Sequence, residues 1–239
     1  LMNEFEKAKK SLDERQKGEK PSLDKTKAAD DKSSKVPSAA EQVLYDVLLA
    51  KKPLLAYADR ATDILALLKL KSLYNIELVL VGASDAVLVS KAIADANVPV
   101  MMNAIDNLPN SFDSLHNALD NIAKLKQAGV KVIISNSGDS HNINQLRFDA
   151  GVAVANGLKA TDALAAITAN VADVFHLNTG RIAAGKSADL VLWSSDPFEI
   201  STKVDAMWIK GKPMLLKSRQ DFLRERYTKD SAMPRSYIK

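Results

Sequence analysis

The sequence predicts an α/β fold built on a parallel sheet, and three observations predict it. Four short apolar runs, at 53–58, 76–82, 98–104 and 130–135, alternate with segments of helical periodicity. Each run is almost free of polar residues, as expected for strands covered on both faces. The runs recur every 22 to about 32 residues, room for a strand, a helix and two loops. That spacing suits either a doubly wound sheet or a (β/α)₈ barrel. A barrel needs eight such units, and this stretch holds four.

Each element has its own warrant. "AAEQVLYDVLLAKK" (39–52) reads as an amphipathic helix, and "PLLAYA" after it as a strand. "DRATDILALLKLKSLYN" places Ile64, Leu67, Leu68 and the stem of Lys71 on one helical face. "IELVLVG" is a β-branched strand ended by Gly82. Ser84 is the expected N-cap of the helix "SDAVLVSKAIADAN". "VPVMMNA" is the third strand. "SFDSLHNALDNIAKLKQAG" is expected to be one helix that stops at Gly129, with glycine in the C′ position. "VKVIIS" is the fourth strand. Two further helices follow, "NINQLRFDAGVAVANG" and "KATDALAAITANVADVF", separated at Gly157.

The two ends differ in texture. Residues 1–35 hold ten Lys or Arg and eight Asp or Glu, broken by Pro21 and several serines. Residues 1–38 read as a charged connector: a solvated helix over about 2–16, then a linker. The acids nearly cancel the bases, and Phe5 is the lone aromatic, so a nucleic-acid tail is not expected. The chain opens on Leu1 with no signal-like segment after it, and residues upstream are expected. From 179 the pattern changes to a small β unit, 179–217, with "ADLVLW" and "VDAMWIKGKPM" as strands. A charged helix and tail occupy 218–239. "GRIAAGKS" (180–187) matches the spacing of a phosphate-binding loop. That loop requires a helix after its lysine, and a strand follows here, so nucleotide binding is rejected.

Composition narrows the chemistry. Hydrophobic residues are 46% and charged residues 26% of 239, ordinary for a globular chain. No apolar run approaches the ~20 residues that span a bilayer, so no membrane partner is expected. There is no cysteine, hence no disulfide and no thiolate site, which fits cytoplasm or periplasm. His116, His141 and His176 are the only imidazoles.

Asp139, Ser140 and His141 lie just past the fourth strand, at the end where barrel active sites gather. Asp139 is a candidate catalytic carboxylate, and His141 a candidate substrate contact. A polar loop capping the next helix is the plainer reading. Tyr57, Asp59 and Arg60 close the first strand. Arg60 is read either as a substrate clamp or as the partner of Asp63 or Asp139. Asn103, Asp106 and Asn107 close the third strand, as substrate contacts or as ordinary Asx turns.

The tail "TGRIAAGKSADLVLWSSDP…VDAMWIKGKPM" resembles the end of the amidohydrolase superfamily, of the imidazolonepropionase-like kind. "DAGVAVANGLKATDALAAITANVADVFHL" is similar to that family's last barrel helices. "LAYADRATDI", "LVLVGASDA", "VPVMMNAIDNLPNSFD" and "AGVKVIISNSGDSHN" resemble its barrel strands five to eight. The resemblance covers about residues 40–225. It implies the C-terminal half of a TIM-type barrel plus part of a small β-sandwich. It also implies hydrolysis of cyclic or other non-peptide C–N bonds by metal-activated water. The family's ligands are a His-x-His pair on strand one, a His on each of strands five and six, and an Asp on strand eight. Imidazoles hold Zn or another divalent metal and acidify its water, and the carboxylate accepts the proton.

Mapped onto this chain, the strand-five His falls at Tyr57 and the strand-six His at Gly82. The strand-eight Asp falls at Asn136 or Ser137, with Asp139 reached only by a slip of two or three residues. Tyr57, Asn136 and Ser137 therefore join the candidate substrate contacts. No metal ligand and no cofactor are expected in this chain. Half a barrel has open edges, so a missing N-terminal half, another chain or self-association is expected to complete it around a small-molecule ligand. A non-catalytic relative that binds a small molecule or scaffolds a catalytic partner is the alternative.

Overall fold

The computed structural model describes residues 2–18, 37–136 and 140–229. The chain divides into two compact units, 1–181 and 182–239.

The first unit is built on a four-stranded sheet of β1 (Leu54–Tyr57), β2 (Leu78–Val81), β3 (Val100–Met102) and β4 (Val132–Ile134). All neighbours are parallel, and the strand order follows the sequence, β1-β2-β3-β4. Register pairs Leu54 with Leu78, Leu80 with Val100, and Met102 with Ile134. The expected parallel α/β architecture is present. The strands themselves are shorter than the apolar runs, because their first residues serve as approach loops. β2 and β4 are buried along their whole length, so both of their faces are covered. β1 differs: it alternates half-buried and exposed, with Leu55 41% and Tyr57 82% accessible.

The helices are α1 (Met2–Gly18), α2 (Ala39–Leu48), α3 (Ala61–Tyr74), α4 (Ser90–Asp95), α5 (Asn121–Gln127), α6 (Leu146–Ala155), α7 (Ala160–Ile167) and α8 (Ala169–Val174). A capping box starts α2: Ser38 Oγ accepts from the Glu41 N–H, and Glu41 accepts from the Ser38 N–H. Gly129, at φ +88°, stops α5 with the expected C′ geometry. Its N–H reaches Lys126 O, and the Val130 N–H reaches Leu125 O. Asn170, on α8, donates to Val132 O at 2.8 Å and so ties that helix to β4.

Four expectations are corrected. The first helix forms, but it is not simply solvated. Phe5 and Ala8 are buried, and Phe5 joins Val47, Leu70 and Ile76 in one apolar cluster. Residues 19–36 of the expected connector lie outside the described residues. Second, Ser84 caps no α-helix. Residues Ser84–Val89 are 3₁₀ after a left-handed Ala83, and the Ser84 hydroxyl donates to Asp59 instead. Third, 111–129 is not one helix: only Phe112–Ser114, as 3₁₀, and Asn121–Gln127 are helical. Asn110, Ser111 and Asn117 offer local side-chain hydrogen bonds that compete with the helical ladder. Fourth, 159–175 splits into α7 and α8 at Thr168, with φ −132° and ψ −82°.

The second unit holds a three-stranded antiparallel sheet, β5 (Leu190–Trp193), β6 (Val204–Ile209) and β7 (Lys212–Pro213). Gly211, at φ +75°, makes the turn between the last two. No helix follows Lys186, consistent with rejecting a phosphate loop. Helix α9 (Arg219–Thr228) starts at a Ser218–Asp221 capping box. Among the described residues, no helix is long and apolar enough to cross a membrane.

Candidate functional site

The C-terminal ends of the four strands carry most of the first unit's loop polarity. Parallel strands aim their last residues at one edge of the sheet, so the loops after β1, β2 and β3 meet there. A cavity of about 180 Å³ lies among them, lined by Asp59, Gly82, Ser84, Asn103, Asp106 and Asn107, with others.

Backbone geometry at the end of β2 sets one wall. Gly82 has φ +77°, and a Cβ there would sit 3.1 Å from Asp59 Oδ1. The missing side chain lets Asp59 tuck in and accept from the Ser84 N–H at 3.2 Å and the Ser84 hydroxyl at 2.9 Å. Gly82→Ala should therefore cost about 1 to 2 kcal/mol from the left-handed backbone and the crowded carboxylate. Thermal unfolding of the variant checks this, and an unchanged Tm would show that the turn has another solution.

Ion pairs fasten the long loop between β3 and α5 to its neighbours. Arg60 Nη2 lies 2.5 Å from Asp113 Oδ1, and its Nε donates to the same oxygen at 2.6 Å. Asp113 holds the Arg60 guanidinium pKa above its ordinary value. Asp85 accepts the Ala61 N–H at 2.9 Å and pairs with His116 Nδ1 at 2.7 Å. The Arg60–Asp113 pair is largely solvated and adds little to stability, whereas Asp85 is mostly buried beside a half-exposed His116. Their effect is geometric, because they hold the loops after β1, β2 and β3 in one arrangement.

The most buried charge is Asp149 on α6, with no accessible surface. Its Oδ2 accepts from Asn136 Nδ2 at 3.1 Å and its Oδ1 from the Ile105 N–H at 3.4 Å. One carboxylate thus joins the segments after β3 and β4. Burial pushes its pKa up, outweighing the hydrogen bonds from Asn136, Ile105 and Asn103 that lower it.

The candidate residues sort as follows. Asn103 lines the cavity, donates to Ser135 O at 3.1 Å and accepts the Asp106 N–H at 2.6 Å, an Asx turn. Asn136 is half-buried and committed to Asp149. Tyr57 is exposed at the end of β1. Arg60 pairs with Asp113 rather than with Asp63, and its other expected partner, Asp139, lies outside the described residues. His141 is exposed in the 3₁₀ segment Ser140–Gln145. Ser137 and Asp139 lie outside the described residues. Sequence reasoning missed Asp85 and Asp149. Asp149 had a signal: it is the one acid in "LRFDAGVAVA", a helix whose other residues are apolar apart from Arg147. A larger cavity of about 370 Å³ lies at the opposite strand ends, lined by Lys71, Glu77, Lys131 and His176 among others. There His176 Nε2 pairs with Glu77 at 2.8 Å.

The amidohydrolase family model matches residues 58–214, well over half of the chain. The chain belongs to the amidohydrolase family. This amidohydrolase-family chain is similar to an amidohydrolase of Thermotoga maritima MSB8 at 26% identity and a TM-score of 0.72. That match covers 90% of this chain and 53% of the other. A β-aspartyl dipeptidase from Fervidobacterium islandicum AW-1, solved with a β-Asp-Leu dipeptide, shares the fold at 19% identity and a TM-score of 0.54. There the coverage is 77% of this chain and 55% of the dipeptidase. The chain thus spans about half the length of the solved relatives it matches. No curated protein matches it.

Proposed function

We propose that this amidohydrolase-family chain is strands five to eight of a (β/α)₈ barrel with part of the flanking β-sandwich. In this reading it is the C-terminal part of an imidazolonepropionase-like hydrolase of cyclic or other non-peptide C–N bonds. The sequential parallel order β1 to β4 supports the half-barrel, since a doubly wound sheet reverses direction at a switch point. The open side of β1, with Leu55 and Tyr57 exposed, supports a completing half from the same or another chain. Self-association is a third route to the same closure.

One observation carries the chemical reading. The positions that the resemblance gives to two His and an Asp hold Tyr57, Gly82 and either Asn136 or Ser137, with Asp139 reached only by a slip of two or three residues. Gly82 offers no donor, and its φ of +77° is one that a histidine would adopt only under strain. Asn136 is spent on Asp149. Among the described residues, no three His, Cys, Asp or Glu side chains are grouped to hold a metal ion. The donors among the described residues do not fit the family's metal.

The second reading is a non-catalytic relative that binds a small molecule or scaffolds a catalytic partner. The substituted positions, together with the polar cavity of about 180 Å³, favour it for this chain alone. The test is elemental analysis of the purified 239-residue chain after equilibration with Zn, Mn or Fe and desalting. We expect well under a tenth of an equivalent of metal. A stoichiometric metal would overturn the loss of the site.

A further inference from the structure

The chain has three histidines, and one of them is held more closely than fastening two loops requires. His116 lies between the 3₁₀ turn Phe112–Ser114 and α5, in the segment that follows β3. Its backbone is anchored by Asn121, 1% exposed, which donates Nδ2 to the His116 carbonyl at 2.7 Å. Its ring is anchored by Asp85, whose Oδ1 lies 2.7 Å from Nδ1. Asp85 is fixed in turn. Its side chain is 18% exposed, and its Oδ2 accepts the Ala61 N–H, an orphan donor at the start of α3, at 2.9 Å. Beside this pair, Arg60 on Asp113 clasps the segments after β1 and β3 a second time.

The partner sets the tautomer. A carboxylate only accepts, so the imidazole gives it a hydrogen and Nδ1 is the protonated nitrogen. In the neutral ring Nε2 is then a lone pair. Among the described residues Nε2 has no hydrogen-bond partner, and the His116 side chain is 50% exposed. His176 is held the opposite way, with Nε2 2.8 Å from Glu77 Oε2, so there the hydrogen sits on Nε2. An imidazole oriented by a carboxylate through Nδ1 and open at Nε2 has the arrangement of an activated nucleophile or base with its orienting group. It also lies past the C-terminal ends of parallel strands, where such folds place their chemistry.

We propose that His116, positioned by Asp85, is an acyl-accepting nucleophile that hydrolyses activated carboxylic esters without a metal. The Nε2 lone pair attacks the ester carbonyl carbon, the C–O bond breaks, and the phenolate leaves with its electron pair. The acyl-imidazolium keeps its Nδ1–H on the Asp85 carboxylate, which faces the new positive charge. Water then attacks the acyl carbon and the C–N bond breaks, restoring the imidazole. The carboxylate product takes the water's oxygen, and both water protons pass to solvent. The leaving group sets the substrate class. Imidazole departs more readily than an alkoxide or an amide nitrogen, so on alkyl esters and amides the adduct reverts. On aryl esters it goes forward. The activity goes beyond the half-barrel reading and depends on neither a metal nor a second chain.

The test is release of nitrophenolate from p-nitrophenyl acetate by the full chain at pH 8 with chelator, after subtraction of the buffer rate. We expect His116→Gln, whose amide can still donate to Asp85, to keep less than half of the parent rate. His141→Gln and His176→Gln should each keep more than half. Asp85→Asn separates positioning from fastening. The Ala61 N–H claims the amide oxygen, so the NH₂ turns to His116 and the ring takes its hydrogen on Nε2. The clasp survives and the lone pair is lost. That variant should unfold at the parent's Tm and keep less than half of its kcat/KM. Nitrogen-15 spectra of the imidazoles at pH 8 read the tautomer directly: hydrogen on Nδ1 of His116 in the parent, and on Nε2 in Asp85→Asn. No rate above the buffer, half or more of the rate in His116→Gln or Asp85→Asn, a fall below half in either other histidine variant, or an Nε2–H tautomer in the parent would each overturn the proposal. A stoichiometric metal in the elemental analysis would overturn the reading of lost ligands and leave this proposal standing.

Discussion

Phe5→Ala is expected to cost the chain about 3 to 5 kcal/mol, the usual loss for an aromatic removed from a packed core. Phe5 has no accessible surface and meets Val47, Leu70 and Ile76. Its ring lies 5.4 Å from that of Tyr74, tilted by 47°. Half-buried Leu44, Leu48, Leu54, Leu67 and Tyr74 close the cluster. The site has few ways to collapse, since α2, α3 and β1 all contribute walls. Urea unfolding followed by circular dichroism measures the loss as a fall in midpoint at constant slope. A change under about 1 kcal/mol would show that α1 is an appendage. The neighbouring Glu6→Ala is the control, since Glu6 is exposed and should stay within the ±0.5 kcal/mol of ordinary surface substitutions.

Asp149→Ala should cost about 3 kcal/mol, because it leaves the part-buried Asn136 amide and Ile105 N–H without their acceptor. Asp149→Asn should cost less, because it keeps one carbonyl oxygen for a donor. The pH dependence then distinguishes charge from shape. Burial raises the native pKa above the ordinary 3.8, so the folded chain holds this proton where the unfolded chain has released it. The stability contributed by that proton is full below 3.8 and is lost as pH rises through the raised native value. The parent's advantage over Asp149→Asn should shrink across that window. Urea unfolding of both proteins from pH 3.5 to pH 7 reads it. A difference that is constant with pH, or that grows, would mean that the carboxylate is held charged by its donors.

The two substitutions also show what reading the sequence achieves. The sheet was legible because its signal is local. "LVLV" and "VII" are buried on both faces, and a run with no polar residue admits few other solutions. Gly129 was legible for a similar reason, since a glycine after an apolar helix ends it in the left-handed region. The docking of α1 was less visible. Its apolar positions, Phe5, Ala8 and Leu12, have the 3–4 spacing of a buried stripe, but two of them are small or half-exposed and charges surround them. Composition outvoted periodicity.

The site was legible in place and not in pairing. That Tyr57, Arg60, Asn103 and Asn136 sit at strand ends follows from the alternation of runs. That Arg60 meets Asp113, 53 residues on, does not follow from it. An ion pair across two loops depends on how strands β1 and β3 are spaced by β2 between them, and no local pattern encodes that distance.

By itself the sequence determined the parallel α/β class, the strand ends that collect polar residues, and the absence of histidine where the family's ligands are expected. Only the tertiary structure decided that α1 belongs to the core, that Asp149 ties two loops together, and that Asp59 and Asp106 share one small cavity. The physical reason is range. Hydrophobic periodicity and backbone preference act within a few residues, whereas burial and charge balance are fixed by neighbours that the fold alone assembles.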